Sequence, residues 1–600
     1  MSQSCSEIAE HASFQAFING YLREVDGGVW HNARQWYSRH SHLTHAPAEH
    51  IIELALTHQK IHLALAVDYS SLVGRHRISA VVIQQANESW QPIDFFPALL
   101  FLINEIYTNA GKSSPALKEK HIELILRVTS SLQLMTRYLQ TRQADSRLLG
   151  DRFIESEQSL LYGHWLHPTP KSRQGMADWL QGCYSPEMAG RFQLHYFAVK
   201  RCYIKQDSIA EQNAECILRS ALGSEALTIS DDYVLVPAHP LQAQWMLHQD
   251  YIQQAIAAGS IRDLGRLGLH FTATSSVRTV YSEHWPWMLK FSIPVKITNS
   301  LRLNHYPELV AGKVMASLLR RCGFSKKYPQ CQIIDDPAYL TVQLPGQVET
   351  GFELIIRFNP FLEHQDTGVH SIAALVQDPL PGFQSRLAIL IDTLATKEKR
   401  NSSQVARDWF ERYLECAIVP LILLYEEQGI ALEAHQQNSL LDVKSGYPTT
   451  YFYRDNQGFY LSPNHRESLV AIEPSVRETP ELFYDDDMIC DRFSYYLIIN
   501  QLYSVIHRLG ADRFINESTL LACVRRRLRI LEKQLHGTGK QFVQGLLQKD
   551  AIPCKANLLT RLHDIDELTA DLELAVYTHI NNPLAKVEDV ANTEVDYEVA

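Results

Sequence analysis

The stretch FTATSSVRTVYSEHWPWMLKFSIPVKITNSLRLN, Phe271–Asn304, decides how the chain is read. Side chains alternate from Lys290 to Thr298, which predicts a strand, because successive residues of an extended chain point to opposite faces. Phe291, Ile293, Val295 and Ile297 then share an apolar face, and Lys290, Ser292, Lys296 and Thr298 share the other. Just upstream, Thr274, Ser275, Ser276, Arg278 and Thr279 make a hydroxyl-rich turn with one guanidinium. Short donors around a bidentate fork suit phosphate oxygens. Arg302 adds a second fork beyond the strand. On periodicity alone the alternative is an edge strand whose lysines face water and block edge-to-edge association.

Working outward, DYVLVPA, LGLHFTATS, YLTVQL and FELIIRF are short apolar or alternating runs bounded by Gly, Pro and Asn. Together with the central stretch they predict a mixed, largely antiparallel sheet over about 225–365. On the N-terminal side, Ile51, Ile52, Leu54, Ala55, Ile61, Leu63 and Leu65, then Ile122, Leu124, Ile125, Val128, Leu132 and Leu134, read as helical spacing in a helix-rich block from about 50 to 165. On the C-terminal side helices are expected at Phe383–Ala395, Ser402–Gln428, Asp487–Leu509 and Ser518–Leu535. TTYFYRDNQGFYLSP interrupts them, with Asp455, Asn456, Gln457 and Gly458 turning between two aromatic strands of a hairpin. The order is helical, α/β, then helical around one hairpin, an α+β chain. Its 600 residues exceed what one core holds, roughly 250–300.

Composition bounds the function. With 46% hydrophobic and 20% charged residues the chain is globular, not disordered, collagenous or coiled-coil. A net charge of -11, from 56 basic and 67 acidic residues, supplies no global field for a nucleic-acid backbone, so an anionic ligand must meet local positive charge. The longest apolar runs, such as Ala417–Tyr425, reach about half the ~20 residues of a membrane helix. MSQSCSEIAEH has no basic then apolar pattern of a secretory leader, so a cytoplasmic protein is expected. Ten scattered cysteines without a CxxC pair predict reduced, mostly buried thiols. His40, His42, His45 and His50 read as a polar loop, not a zinc site. GKS at 111–113 lacks the preceding glycine of a phosphate-binding loop, and GxSxG, HExxH and GxGxxG are absent.

Two further constellations carry charge. In GIALEAHQQNSLL, Gly429–Leu441, Glu433, His435, Gln437 and Asn438 leave a long helix together, and Asp455 follows in the hairpin. Carboxylates and an amide oxygen form the hard donor set that Mg²⁺ accepts beside nucleotide phosphates, which makes Glu433, Asn438 and Asp455 metal candidates. The bland reading of His435 is a satisfied structural histidine. In GHWLHPTPKSRQG, Gly163–Gly175, two prolines forbid a continuing helix, so His164, His167, Lys171 and Arg173 lie on a shaped loop that presents cations or is simply basic. VPAHPLQAQW, with His239, reads as packing.

In order, GHWLHPTPKSRQG, VPAHPLQAQW, TSSVRT, LKFSIPVKITNSLR, LEAHQQN, RDNQG and KANLLTRL resemble the conserved segments of siderophore synthetases that work independently of non-ribosomal peptide synthetases, the IucA/IucC family that includes aerobactin synthase. The resemblance spans about 160–565. It implies a cupped-hand architecture of thumb (1–160), fingers (161–375) and palm (376–600), usually dimeric. It also implies adenylation of a citrate carboxylate with ATP and Mg²⁺, then transfer of the acyl group to an amine, hydroxylamine or alcohol, releasing AMP and pyrophosphate. Carried over by position, it places Ser275, Ser276, Arg278, Thr279, Lys290, Gln437 and Asp455 on ATP. Thr298, Arg302 and His435 are placed on citrate and the α-phosphate, joined by His167, Lys171 and Lys555. Trp165-Leu166 depart from the pattern, which often has proline after the first histidine. His435, Arg302 and Lys290 are the catalytic candidates: citrate and ATP repel each other, and each close charge pair costs about 4 kcal/mol at an effective dielectric of ~20. Free citrate is favoured over a monoacylated citrate. A kinase-like phosphotransferase and a non-catalytic citrate-binding protein are the rival readings.

Overall fold

A computed structural model describes residues 3–44, 46–85, 88–109, 115–223, 229–455, 457–562 and 577–586. His45, the GKS segment and Asn456 lie outside the described residues, as does most of the acidic tail after Asn582.

At the centre is an eight-stranded antiparallel sheet. Its order is Ile204–Ser208, Ala338–Val342, Leu354–Phe358, Trp287–Phe291, Thr279–Tyr281, Ile261–Ala273, Phe192–Lys200 and Tyr233–Ala238. The runs singled out in the sequence supply five of these strands. One face packs on a core that includes Val234, Val236, Leu289, Leu340, Leu354 and Ile356, all at most 1% exposed. Thr279 lies opposite Lys290, and Lys290 opposite Ile355. The hydroxyl-rich turn is the tip of the hairpin that joins Ile261–Ala273 to Thr279–Tyr281, closed by the Thr274 amide donating to Thr279 O at 2.9 Å, with Val277 in the left-handed region (φ 69°).

The strand expected over Lys290–Thr298 ends at Phe291. Pro294 has no N–H to continue the ladder. The chain bends there, and Lys296–Ile297 joins a separate small sheet with Arg173–Gln174 and Ser300–Leu301. Ser292, placed on the polar face by alternation, is 1% exposed. The bend carries Thr298 and Arg302 alongside the loop that bears Lys171.

The N-terminal block is not the helical thumb expected. Helices Cys5–Glu24, Phe95–Asn109 and Pro115–Arg142 pack on a five-stranded antiparallel sheet of Val29–Asn32, His50–Leu56, Ile61–Tyr69, Arg77–Gln85 and Gln91–Ile93. The strands alternate: Ile52, Leu54 and Leu56, with Leu63, Leu65 and Val67, face the helices at 0% exposure. Ile51, Ala64 and Ala66 fill the other face against Trp36 and Trp90. A strand apolar on both faces loses the alternation that would mark it, and chance i, i+3 matches imitate a helix.

Toward the C-terminus the expected helices appear at Arg386–Glu398, at Ser402–Gln428 with a π-helical turn Leu414–Ile418, at Asp486–Ala511 with a π-helical Ser494–Leu502, and at Glu517–Glu532. The aromatic hairpin is corrected. Thr450–Arg454 pairs with Cys331–Ile334 and Ser439–Asp442, whereas Phe459–Leu461 pairs with Ile430–Leu432. The turn thus hands the chain from one small sheet to another, each aromatic strand having a partner brought by the fold. The ten cysteines are free, but only Cys331, Cys416, Cys523 and Cys554 are buried, and Cys183, Cys202 and Cys216 are exposed, so mostly buried thiols are also corrected. Among the described residues no helix is long and apolar enough to cross a membrane.

Candidate active site

A cavity of about 1030 Å³ opens where the hairpin tip, the Gly163–Arg173 loop, the Glu433–Asn438 loop and the π-helical turn meet. Its wall includes Ser275, Ser276, Arg278, Lys290, Thr298 and Arg302 from the central region, Lys171 from the loop, and Glu433, His435, Gln437, Asn438, Asp455 and Lys555 from the C-terminal part. Two expected members stand behind the wall. Thr279 is 3% exposed, and its amide donates to Ser276 Oγ at 3.1 Å. His167 is 2% exposed; its Nδ1 accepts from the Thr169 amide at 3.1 Å, which leaves Nε2 to donate to Asn299 Oδ1 at 3.1 Å. Thr279 thereby supports Ser276, which lines the cavity, whereas His167 holds Asn299, 1% exposed, behind it.

Three cations gather on one side. Arg278 donates from Nη1 to Leu303 O at 2.7 Å and to Asn304 Oδ1 at 2.9 Å. Burial, with Arg302 close by, pulls it down to about 10. Lys290 Nζ lies 3.0 Å from Asp455 Oδ1, yet burial outweighs that partner and lowers the ammonium to about 8. Arg302 Nη2 donates to Ile297 O at 3.0 Å and to Thr298 Oγ1 at 2.8 Å. Thr298 holds a left-handed backbone (φ 55°), which a β-branched residue rarely adopts. The strain, on the cavity wall, turns its hydroxyl to the guanidinium.

His435 faces the same cavity. Its Nδ1 accepts from the amides of Gln437 at 3.2 Å and Asn438 at 3.3 Å. A neutral ring so capped carries its proton on Nε2. Burial, aided by His164 and Lys555, holds the ring far below the usual histidine range, at about 3. At neutral pH His435 is an uncharged donor.

Ser275 is tied inward. Its amide and Oγ donate to Glu157 Oε2 at 3.0 and 2.9 Å, and Gln437 Nε2 donates to that Oγ at 3.3 Å. Arg454 Nη2 bridges both Glu157 oxygens at 2.8 Å and Gln437 O at 2.9 Å. The Glu157–Arg454 pair, absent from the sequence reading, locks the hairpin tip to the Gln437 loop. A buried acid and base 297 positions apart leave no local signal.

The metal candidates are adjacent, but their polar atoms satisfy one another. Asn438 Nδ2 donates to Asp455 Oδ2 and to Glu433 O, each at 3.2 Å, while Lys290 covers Asp455 Oδ1. Among the described residues no group of three His, Cys, Asp or Glu is gathered as metal ligands. Lys171, assigned to citrate, is held by Glu187 at 2.5 Å and by Leu160 O, and Arg173 grips the same carboxylate at 2.6 and 2.7 Å.

Known proteins match this chain along its length. A sequence profile of the IucA / IucC family matches residues 152–377, and one described as ferric iron reductase FhuF-like transporter matches 407–570. A spermidine-citrate ligase of Bacillus anthracis is 39% identical over 601 residues, 97% of this chain and 98% of that protein. Rhizobactin siderophore biosynthesis protein RhbC of Rhizobium meliloti is 37% identical over 88% of this chain and 91% of its own. The structure of ATP-bound aerobactin synthetase IucA from Klebsiella pneumoniae superposes with a TM-score of 0.85, covering 96% of this chain and 99% of that one at 24% identity. On this identity and coverage, the chain belongs to the IucA/IucC family.

Proposed function

We propose that the protein is an ATP-dependent ligase of siderophore biosynthesis that adenylates a carboxylate of citrate and joins the acyl group to an amine. The carrying observation is that Arg278, Lys290, Arg302 and His435 open on one cavity. A carboxylate acylates poorly because oxide is not a viable leaving group; attack of its oxygen on the α-phosphorus of ATP forms the citryl–AMP mixed anhydride and expels pyrophosphate. Before that step two multivalent anions must share a partly dry space. Arg278 and Lys290 meet the phosphates, and the Arg302 fork, held from behind by Thr298, meets citrate carboxylates. His435 Nε2–H donates to an α-phosphoryl oxygen as charge builds there, and being uncharged beforehand it does not retain the product electrostatically. An acceptor amine then attacks the carbonyl carbon, loses a proton, and AMP leaves. Free citrate fits the pooled cations better than a monoacylated citrate, which carries one negative charge fewer.

Mg²⁺ would be held by the carboxylates of Asp455 and Glu433 on that wall once Lys290 and Asn438 turn from the Asp455 oxygens to the bound phosphates, and would add charge neutralisation there. Asn438 joins only by turning its amide oxygen outward. The thumb, fingers and palm division, a cytoplasmic setting and a homodimer belong to this reading. Relatives named for spermidine and for L-2,3-diaminopropanoate as partners of citrate support an amine acceptor, a polyamine or a diamino acid, over an alcohol. Citrate-dependent exchange of labelled pyrophosphate into ATP is the test, with hydroxamate formation when hydroxylamine replaces the acceptor. ADP as product would reject the ligase in favour of a phosphotransferase, and citrate binding without nucleotide turnover would leave a binding protein.

A further inference from the structure

We propose that Asn500 is a positioning residue of this site, whose side-chain amide oxygen holds the His435 loop in register and thereby fixes which nitrogen of His435 bears its proton. The inference rests on the reading of His435 as a donor to the α-phosphate.

Asn500 is 1% exposed and sits within the π-helical turn Ser494–Leu502 that interrupts the helix Asp486–Ala511. Such turns widen the helix by a residue, re-aim its side chains and recur at functional sites. Here successive positions are aimed at the cavity's supports. Tyr495 OH accepts from Asn557 Nδ2 at 2.9 Å, the Tyr496 ring lies 5.9 Å from that of His435, and Gln501 Oε1 accepts from Ser439 Oγ at 2.7 Å. Asn500 stands between them.

Its orientation is determined. Oδ1 accepts from the Gln436 amide at 3.1 Å, so the amide nitrogen faces the other way, 3.2 Å from His164 Nε2; because His164 Nδ1 already accepts from the Leu166 amide at 3.1 Å, that approach is a packing contact and not a second hold. The backbone end is held as well. Ser504 Oγ donates to Asn500 O at 2.6 Å and accepts from Trp165 Nε1 at 3.1 Å. Trp165 carries the guanidinium carbons of Arg75 and Arg23 at 4.8 and 5.5 Å from its ring. The tryptophan that departs from the family pattern thus anchors the same turn whose preceding residue, His164, faces Asn500.

The consequence falls on His435. The amide that Asn500 holds belongs to the next residue, and the following two amides are those that cap His435 Nδ1. If Gln436 shifts, both caps lose their aim, and the imidazole is free to carry its proton on Nδ1. The acceptor would then point where the donor is needed, with every side chain of the site still in place. Of the charged groups that act on His435, Asp455 is held by Lys290 and Asn438, and Lys555 lies on a separate strand, Ala551–Lys555.

The full-length protein with Asn500→Leu and with Asn500→Asp tests this in citrate-dependent pyrophosphate exchange, followed across pH 5.5–9. Asn500→Leu is expected to lower kcat by about 10²-fold, the loss typical of one transition-state donor, with KM for ATP within about threefold of the parent. Asn500→Asp keeps an acceptor for the Gln436 amide. It should recover about tenfold or more of that loss, while the added carboxylate beside His164 brings an ionisation into the rate profile beyond those of the parent. A folded Asn500→Leu protein with kcat within threefold of the parent overturns the proposal. If the leucine variant does not fold, Asn500→Asp decides alone: a parent-like pH profile overturns it, a new ionisation supports it. A parent protein without exchange would reject the adenylation reading, and this one with it.

Discussion

Two buried groups of cations lie along the same cavity, and they are built differently. Around Glu187, Lys171 and Arg173 close on one carboxylate, Arg142 donates to the Glu187 carbonyl at 2.6 Å, and all three side chains are at most 5% exposed. The two cations outweigh burial and hold the Glu187 carboxyl down at about 2. Arg278 bonds a carbonyl and a side-chain amide oxygen, Arg302 has a carbonyl and a hydroxyl among its partners, and the Glu308 and Asp455 carboxylates act on Arg278 from nearby. There burial wins: Arg278 falls to about 10 and Lys290 to about 8 despite Asp455. The first group has its anion built in and acts as a fastening. The second keeps its charge at a cost that an incoming anion relieves. Burial and positive charge alone do not mark a binding site; how fully the fold's own anions answer the cations does.

The comparison breaks most visibly at Glu187. Glu187→Gln leaves two buried cations without their carboxylate and should cost about 3–5 kcal/mol in chemical denaturation, with exchange per folded molecule little changed. Because the folded carboxyl titrates far below the usual range, its contribution holds above about pH 4.5 and fades as pH falls toward 2. Unchanged denaturation midpoints would remove the fastening role. In the other group the sign reverses. His435→Ala should leave the midpoint alone and lower exchange by about 10²-fold, and near-normal exchange in the folded variant would deny the donor role. Arg302→Lys keeps the charge and loses the fork, so the citrate requirement should rise about tenfold or more with a smaller change for ATP. Equal changes for both would detach Arg302 from citrate.

Much of the second group was legible in the sequence, because its parts are local: a hydroxyl turn at 274–279, a lysine one strand later, a histidine among amides. The bend at Pro294 was equally visible, but alternation through Val295 and Ile297 outvoted it. The N-terminal sheet hid behind strands apolar on both faces, and the two aromatic strands were mispaired because each partner lies far away in sequence, Ile430–Leu432 for one and Cys331–Ile334 for the other. Glu187 and Glu157 are invisible for the same reason: a charged residue in a helix or turn reads as solvated until the fold buries it. Lys171 kept the spacing of a ligand and turned out to be half of a fastening, a distinction that only its acceptor reveals.

The smallest effect separates the groups most sharply, since it needs no loss of function. Before nucleotide binds, Lys290 titrates at about 8. Below that pH the ammonium is present and ATP affinity should be flat; above it, each binding event must take up a proton, so the dissociation constant should rise by up to tenfold per pH unit. Lys290→Arg keeps its charge throughout and should flatten the slope, whatever it does to affinity itself, as calorimetry in buffers of different ionisation enthalpy would read. The same lysine acts oppositely on folding. With its folded value depressed, its burial penalty applies in full below about pH 8 and is relieved as pH rises toward the ordinary 10.5. Stability and ATP affinity should therefore trend in opposite directions across that interval in the parent protein. A cation already satisfied within the fold would leave affinity flat; parallel slopes in the parent and Lys290→Arg would place Lys290 with Lys171 rather than with the phosphates.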